Sequence, residues 1–317
     1  MSLDPSKLSV GEIRRRFVQG DEPASGQLLS RLRRDPRRGA RQVYDVLRRR
    51  QEQEREERVR LDSMLNFERV LWRSGLTRIA GVDEAGVGPL AGPVVAAAVV
   101  FPPGTAIPGV DDSKRLDPAR REELAAAIRE AASGFAIGAA QVAEIDRINV
   151  YHAGILAMRR AVEGLPEPPE HVLLDAREIP GLDVPQNRFD KGDGLDFSIA
   201  AASILAKTHR DRLMCELDRR YPEYGFARHK GYGTAEHQAA IRAHGPCEIH
   251  RMSYPVIAEL CGECSELFYE LRERLDAVDG RSALAAFEDH LAARRERLAE
   301  EEHRKLRVMV ARRWKTV

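Results

Sequence analysis

Cysteine is scarce in this chain: Cys215, Cys247, Cys261 and Cys264 are all that 317 residues contain. Their small number and irregular spacing exclude a disulfide scaffold. Only Cys261 and Cys264 stand at CxxC spacing, and there is no second pair. A structural zinc site would have to recruit Cys215, Cys247 or a histidine as further ligands. Long apolar runs are missing too. None reaches the ~20 residues needed to span a bilayer, which speaks against a membrane protein. The opening Met1–Pro5 lacks the basic-then-apolar order of a secretory leader. No internal repeat is visible. A soluble, reducing, cytoplasmic setting and a monomeric state are expected.

What is present is charge on a chain with enough apolar residues to build a core. Charged residues make up 32% and hydrophobic ones 43%, and the length exceeds one average domain. The charge is unevenly spread. Residues 1–60 hold 16 Lys/Arg against 10 Asp/Glu, residues 61–260 hold 23 against 28, and residues 261–317 hold 12 of each. An acidic centre beside a basic arm suits an enzyme that binds metal centrally and a polyanion elsewhere. Arginine-rich helices that are simply solvated would give the same counts.

Pattern divides the chain into a helical basic extension (1–74), an α/β domain (75–260) and a charged helical extension (261–317). Val10, Ile13 and Phe17 fall at helical spacing, and the first 70 residues read as short helices. Leu61, Met64, Leu65 and Phe67 form a buried face before the linker at Ser74-Gly75. Residues 78–101 read as two strands around a Gly/Pro turn, the second nearly all apolar and so buried on both faces. Asp117-Pro118 opens a helix. A third strand follows near 136–142, then a helix from Asn149, a short strand ending at Asp175, and a strand before Lys191. A long helix runs from Phe197 to Arg220. Strands first, then strand–helix alternation, indicate a mixed sheet in an α/β domain.

The chemistry concentrates in carboxylates. Asp83 and Glu84 end an apolar strand at the lip of a glycine-rich turn, where two adjacent acids are costly to bury without a cation. Asp175 closes Leu173-Leu174-Asp175-Ala176. Asp193 sits in Lys191-Gly192-Asp193-Gly194. One acid at a strand end is usually a cap or turn residue; three such places in one chain favour metal. On a strand, neighbouring side chains point to opposite faces, so Asp83 is the better bridging ligand and Glu84 binds from the side or through water.

With these blocks on the page the chain strongly resembles the bacterial ribonuclease HII family of type 2 RNases H, over about residues 78–257. The resemblance rests on Gly81-Val82-Asp83-Glu84-Ala85-Gly86, Gly88-Pro89-Leu90-Ala91-Gly92-Pro93, Asp112-Ser113-Lys114-Arg115-Leu116 and Ile148-Asn149-Val150-Tyr151. It continues through Leu174-Asp175-Ala176, Lys191-Gly192-Asp193, Ala200–Lys207 with Arg210-Asp211, His229-Lys230-Gly231-Tyr232-Gly233-Thr234 and His250-Arg251-Met252-Ser253-Tyr254. The first 70 residues resemble the helical extension of longer bacterial members. This likeness implies an RNase H fold, a five-stranded mixed sheet flanked by helices. It implies endonucleolytic hydrolysis of RNA in RNA–DNA hybrids and incision at single ribonucleotides in duplex DNA, leaving 3′-hydroxyl and 5′-phosphate ends. The family's metal-binding acids fall on Asp83, Glu84, Asp175 and Asp193.

Two divalent ions about 4 Å apart can serve the attacking and the leaving oxygen of such a hydrolysis. Oxygen ligands with room for water suit Mg²⁺ or Mn²⁺. Choosing RNA requires sensing a 2′-hydroxyl. Gly86, Val87 and Gly88 can bring bare backbone against a phosphate or sugar. The resemblance adds Tyr232 as the partner of that turn in recognising the ribonucleotide–deoxyribonucleotide junction; without it, Tyr232 reads as a half-buried loop aromatic. The family usually carries Arg or Lys where Val87 stands, so recognition here is expected to work through the main chain. Ser113, Lys114, Lys191, Lys207, His229, Lys230 and Arg251 are candidate phosphate contacts, Lys114 and Lys230 gaining most from the motif match. A binding-only module is disfavoured by the full set of acids, and a junction resolvase or integrase-like nuclease by the glycine turn and the HKGY segment. A scaffold role for the charged ends could coexist with catalysis.

Overall fold

The computed structural model describes residues 7–20, 22–261 and 264–314. Met1–Pro5 and the Gly262-Glu263 centre of the CxxC segment lie outside the described residues. The chain forms two compact units, Met1–Asn66 with Ala106–Gly109, and Phe67–Thr105 with Val110–Val317.

In the first unit α1 (Val10–Arg14) continues as a π-turn over Arg15–Gln19, followed by α2 (Gly26–Arg34) and α3 (Arg38–Met64). Ser9 and Glu12 cap α1 reciprocally, side chain to backbone in each direction, a pairing that satisfies two otherwise orphaned amides. Ile13, Phe17, Leu28, Leu32, Ala40, Val43 and Leu47 make the core. The short helices read from the sequence merge here into a helix of 27 residues. Between Leu47 and Leu61 that helix buries nothing. Strong helix formers and pairs such as Arg50–Glu54 at 3.2 Å carry it instead. Glu57 accepts the Gly109 amide at 2.7 Å, joining the loop residues 106–109 to this unit.

The second unit is built on a five-stranded sheet in the order β3-β2-β1-β4-β5. The strands are β1 (Ile79–Ala85), β2 (Val94–Val100), β3 (Gly134–Ala140), β4 (His171–Asp175) and β5 (Gln186–Phe189). Both pairings made by β2 are antiparallel, and β1–β4 and β4–β5 are parallel. Its helices begin with α4 (Asn66–Arg73), α5 (Pro118–Ala131), α6 (Val142–Glu163) and α7 (Phe197–Arg220). They continue with α8 (Phe226–His229), α9 (Ala235–His244), α10 (Pro255–Cys261), α11 (Glu266–Asp276), α12 (Arg281–Ala292) and α13 (Glu300–Arg313). Every residue of β2 is buried, as its unbroken apolar run implies.

The two faces of β1 have different covers. Ala80 and Val82 join Ala153, Ala157, Met158 and Ala161 of α6. On the other face α7 comes so close that a Cβ on Gly81 would lie 2.1 Å from the Ser198 carbonyl carbon. Glycine at 81 is therefore a packing requirement. In α6, the helix read from Asn149 begins instead at Val142, behind a Gln141/Glu144 capping box. Asn149 is the joint between two helical segments, with φ 64°, and its Oδ1 accepts the His152 amide. Phe67, expected to be buried, is 41% exposed, with its ring packed on Phe189.

Helices α11–α13 have a core of their own, including Phe268, Leu271, Leu284, Phe287, Leu306 and Val310. Glu302 accepts the Ser265 amide, and Lys305 Nζ donates to the Cys261 carbonyl. No helix among the described residues is long and apolar enough to cross a membrane.

Candidate active site

Parallel pairing of β1 with β4 sets Val82 beside Leu174, which brings Asp83 and Asp175 to the same level at the carboxyl ends of adjacent strands. Side-chain alternation then separates the two neighbouring acids. Asp83 follows Ile79 and Gly81 onto the α7 face, where it is 4% exposed and hydrogen-bonded by Ser203. Glu84 follows Ala80 and Val82 onto the α6 face. There its Oε1 accepts from Arg177 at 3.0 Å, while its buried Oε2 has no hydrogen-bond partner among the described residues.

Asp175 and Asp193 meet through a turn. Lys191 takes a left-handed conformation (φ 61°) and starts a single 3₁₀ turn, Gly192–Gly194. The Gly192 amide donates to Asp175 Oδ1 at 2.7 Å. A Cβ at Gly192 would fall 2.7 Å from Ile199 Cδ1, so α7 also fixes this glycine. Asp193, 5% exposed, accepts from Lys114 Nζ at 3.1 Å.

The electrostatics are those of crowded acids. Burial, then Glu84 and Asp175, push the Asp83 carboxyl well above the usual carboxylate range. Burial raises Glu84 as well; Arg177 pulls against it and Asp175 adds to it. Asp175 is raised by burial, opposed by the Gly192 amide and reinforced by Asp193. Lys114 moves up: burial works against it, but Asp193, Asp112 and Asp83 prevail. The acids shift because burial and like charges disfavour their ionised forms, and Lys114 shifts because carboxylates surround its ammonium.

Among the described residues no group of three or more His, Cys, Asp or Glu side chains is arranged to hold a metal ion. Glu84 and Asp193 are instead drawn to Arg177 and Lys114. The donor set nevertheless fits a hard divalent cation: it is all carboxylate oxygen, mutually repelling, with Glu84 Oε2 left unsatisfied. Cys215, Cys247, Cys261 and Cys264 are free thiols.

Beside the acids, Gly86 (φ 95°), Val87 and Gly88 leave the end of β1. Tyr232 is 43% exposed, and a Cβ on Gly88 would lie 3.6 Å from its Cε1. Glycine turn and tyrosine thus line one surface.

The candidate phosphate contacts divide into outward and inward groups. Lys114 and Lys191 are exposed. Lys207 is mostly buried and pairs with Asp211 at 2.7 Å. Lys230 Nζ turns to Cys215 Sγ and the Ala227 carbonyl. Ser113, 3% exposed, shares a hydrogen bond with Ser203. His229 is stacked on His237 and bonded to the Tyr224 carbonyl. Arg251 is completely buried. For Ser113, His229 and Arg251 a direct phosphate contact does not fit this placement, because each spends its polar atoms inside the protein.

Two residues escaped the sequence reading. Arg177, which holds Glu84 and lies over the Tyr151 ring at 5.0 Å, has no motif to mark it. Arg210 lies in the Arg210-Asp211 block, which marked the position but not its task.

Known proteins now supply a comparison. The family model for ribonuclease HII matches residues 80–256, and the model for the ribonuclease HII N-terminal domain matches residues 9–72. The ribonuclease HII of Myxococcus xanthus is 54% identical over 255 residues, 80% of this chain and 87% of that protein. That of Anaeromyxobacter sp. is 47% identical over 285 residues, 89% of this chain and 90% of its own length. Among solved structures, the ribonuclease H2 of Pyrococcus horikoshii aligns at 25% identity with a TM-score of 0.49, covering 57% of this chain and 96% of that one.

Proposed function

Because the chain belongs to the ribonuclease HII family, which cleaves the RNA of RNA–DNA hybrids, we infer that its substrates extend to single ribonucleotides embedded in duplex DNA. The coarser activity, ribonuclease H hydrolysis on an RNase H fold, follows from membership. The finer one is supported by one observation above all: the acids gather at the carboxyl ends of β1 and β4, and the Gly86–Gly88 turn that directly follows β1 lies against Tyr232.

Asp83, Glu84, Asp175 and Asp193 would hold Mg²⁺ or Mn²⁺. Two such ions would supply an activated water and charge stabilisation for the leaving oxygen. The protein's own residues do the remaining work. Ser203 orients Asp83, and the Gly192 amide orients Asp175. Lys114 pairs with Asp193 and Arg177 with Glu84, which offsets part of the acids' charge. The ring of Tyr232 gives a flat apolar face on which a sugar or base can rest, with a hydroxyl to bond a polar group. The bare turn lets a phosphate or 2′-hydroxyl approach main chain directly.

The test is cleavage of a labelled DNA duplex carrying one ribonucleotide. Asp83→Asn is expected to lower kcat by about 10²–10³-fold, with KM little changed. Wild-type protein that cuts long hybrids but leaves the single-ribonucleotide duplex intact would remove the finer reading and leave the coarser one.

A further inference from the structure

Beneath the glycine turn lie two guanidinium groups with unusual partners. Arg210 is 1% exposed and Arg251 fully buried, and among the described residues neither forms an ion pair with a carboxylate; Asp211, next to Arg210 in sequence, pairs with Arg121 and Lys207 instead. Arg251 spends all its donors: Nε and Nη2 on the Gly92 carbonyl at 3.0 and 2.8 Å, Nη2 also on Gly86 at 2.5 Å, and Nη1 on Val87 and the Tyr254 hydroxyl, both at 2.9 Å. Arg210 donates to the carbonyls of Pro93, Lys230 and Ala91, each at 3.0 Å. Gly86 is glycine for this reason as well, since a Cβ there would lie 2.1 Å from Arg210 Nε.

Two buried like charges are expensive when carboxylates act on them only from beyond contact, as Asp211 does on Arg210 and Asp146 on Arg251, and a neutral amide could brace carbonyls at lower cost. Burial, and Arg251 beside it, pull Arg210 down to about 10, and burial lowers Arg251 as well; a guanidinium nevertheless keeps its proton in a protein. Their positive charge needs a use.

Peptide planarity indicates one. The Gly86 carbonyl shares its peptide group with the Val87 amide, and the Val87 carbonyl with the Gly88 amide. In a trans peptide the C=O and N–H point in opposite directions, and no cis bond occurs among the described residues. Arg251 holds both carbonyls inward, so both amides point outward. Neither amide donates a hydrogen bond within the described residues. A carbonyl bonded to a cation also makes the N–H on the same peptide a stronger donor.

We propose that Arg251, with Arg210 behind it, is a positioning residue that turns the Gly86–Gly88 peptides amide-outward and charges them from below, making a main-chain seat for a backbone phosphate of the substrate. The seat takes over the work of the basic side chain that Val87 lacks. This rests on the reading that the turn faces substrate.

The experiment uses the full chain and a duplex with one embedded ribonucleotide, measuring kcat, KM and the salt dependence of KM, with thermal melts alongside. Arg251→Gln is expected to raise KM about tenfold with kcat within about threefold, and to flatten the slope of log KM against log salt by about 1. Arg251→Lys, which keeps the charge, is expected to retain that slope. Val87→Arg should improve KM of the wild type by less than about fivefold and restore most of the loss in the Arg251→Gln background. A folded Arg251→Gln protein with unchanged KM and salt slope overturns the proposal, as does an equal gain from Val87→Arg in both backgrounds. If Arg251→Gln does not melt cooperatively, the single Val87→Arg variant decides: a larger gain than about fivefold means the seat was not already charged. Gly88→Ala separates the underlying reading, because its Cβ would make only ordinary contact with Tyr232. If Gly88→Ala and Tyr232→Ala both leave KM unchanged, the turn does not face substrate. If they raise it while Arg251→Gln does not, only the present proposal falls.

Discussion

Glu68 and Asp196 keep carboxyl groups where water does not reach them, 1% and 0% exposed. Glu68 accepts the Ser198 hydroxyl and amide at 2.7 and 3.2 Å, and Asp196 caps α7 by accepting the Ile199 amide at 3.0 Å. The two carboxyl groups also face each other within hydrogen-bond reach, so an oxygen of each is left unsatisfied unless one of them carries a proton. Burial raises Glu68, and burial together with Glu68 raises Asp196 well above the usual range. The folded protein thus keeps protons that the unfolded chain has already lost. Such groups stabilise the fold below the ordinary carboxylate range, and that stability is lost as pH rises through their elevated folded values. Glu68→Gln keeps the bond to Ser198 and removes the charge. It is expected to raise the melting temperature at pH 7 by about 2–4 °C, with the gain shrinking toward pH 4 in melts across the range; a gain independent of pH would contradict the assignment. Residues of this kind explain where the sequence was silent. The acids of the cleft stand at strand ends beside glycines and could be recognised, whereas Glu68, Arg177 and Arg210 owe their roles to partners 93 to 130 positions away.

At the scale of elements, the sheet and its two main helices were legible because their signals are local. The run Val94–Val100, the cap Asp117 before Pro118 and the small residues Ala200–Ala202 all state their structure in place. The first turns of α6 were not legible. Val142–Ile148 ends at a residue with positive φ, so the apolar spacing is interrupted at Asn149 and the two segments do not read as one. At Gly81 β1 meets α7 backbone to backbone, a contact unable to yield by rotamer change. Gly81→Ala is expected to cost about 2–4 kcal/mol in urea unfolding. A loss below about 0.5 kcal/mol would mean that sheet and helix can part without penalty.

For the molecule as a whole, the basic first unit is the part whose contribution is still to be measured. Arg33, Arg34, Arg38, Arg41, Arg48 and Arg49 are exposed on α2 and α3, and a polyanion is the partner such a surface attracts. Removing residues 1–65 spares Glu68 and the rest of α4. It is expected to raise KM on a long hybrid and to flatten the salt dependence of binding by about 2 or more; an unchanged slope would reduce the unit to packing.

One helix touches nearly every part of the cleft. On α7, Ser198 abuts Gly81, Ser203 steadies Asp83, Lys207 lies 5.9 Å from the Tyr232 ring, and Arg210 supports the turn. Over about 18 Å of one rod, the helix ties the acids at the end of β1 to the turn that follows them. Acids and turn therefore cannot drift apart independently, and whatever room the cleft has to vary lies in the loops at the margins of that rod.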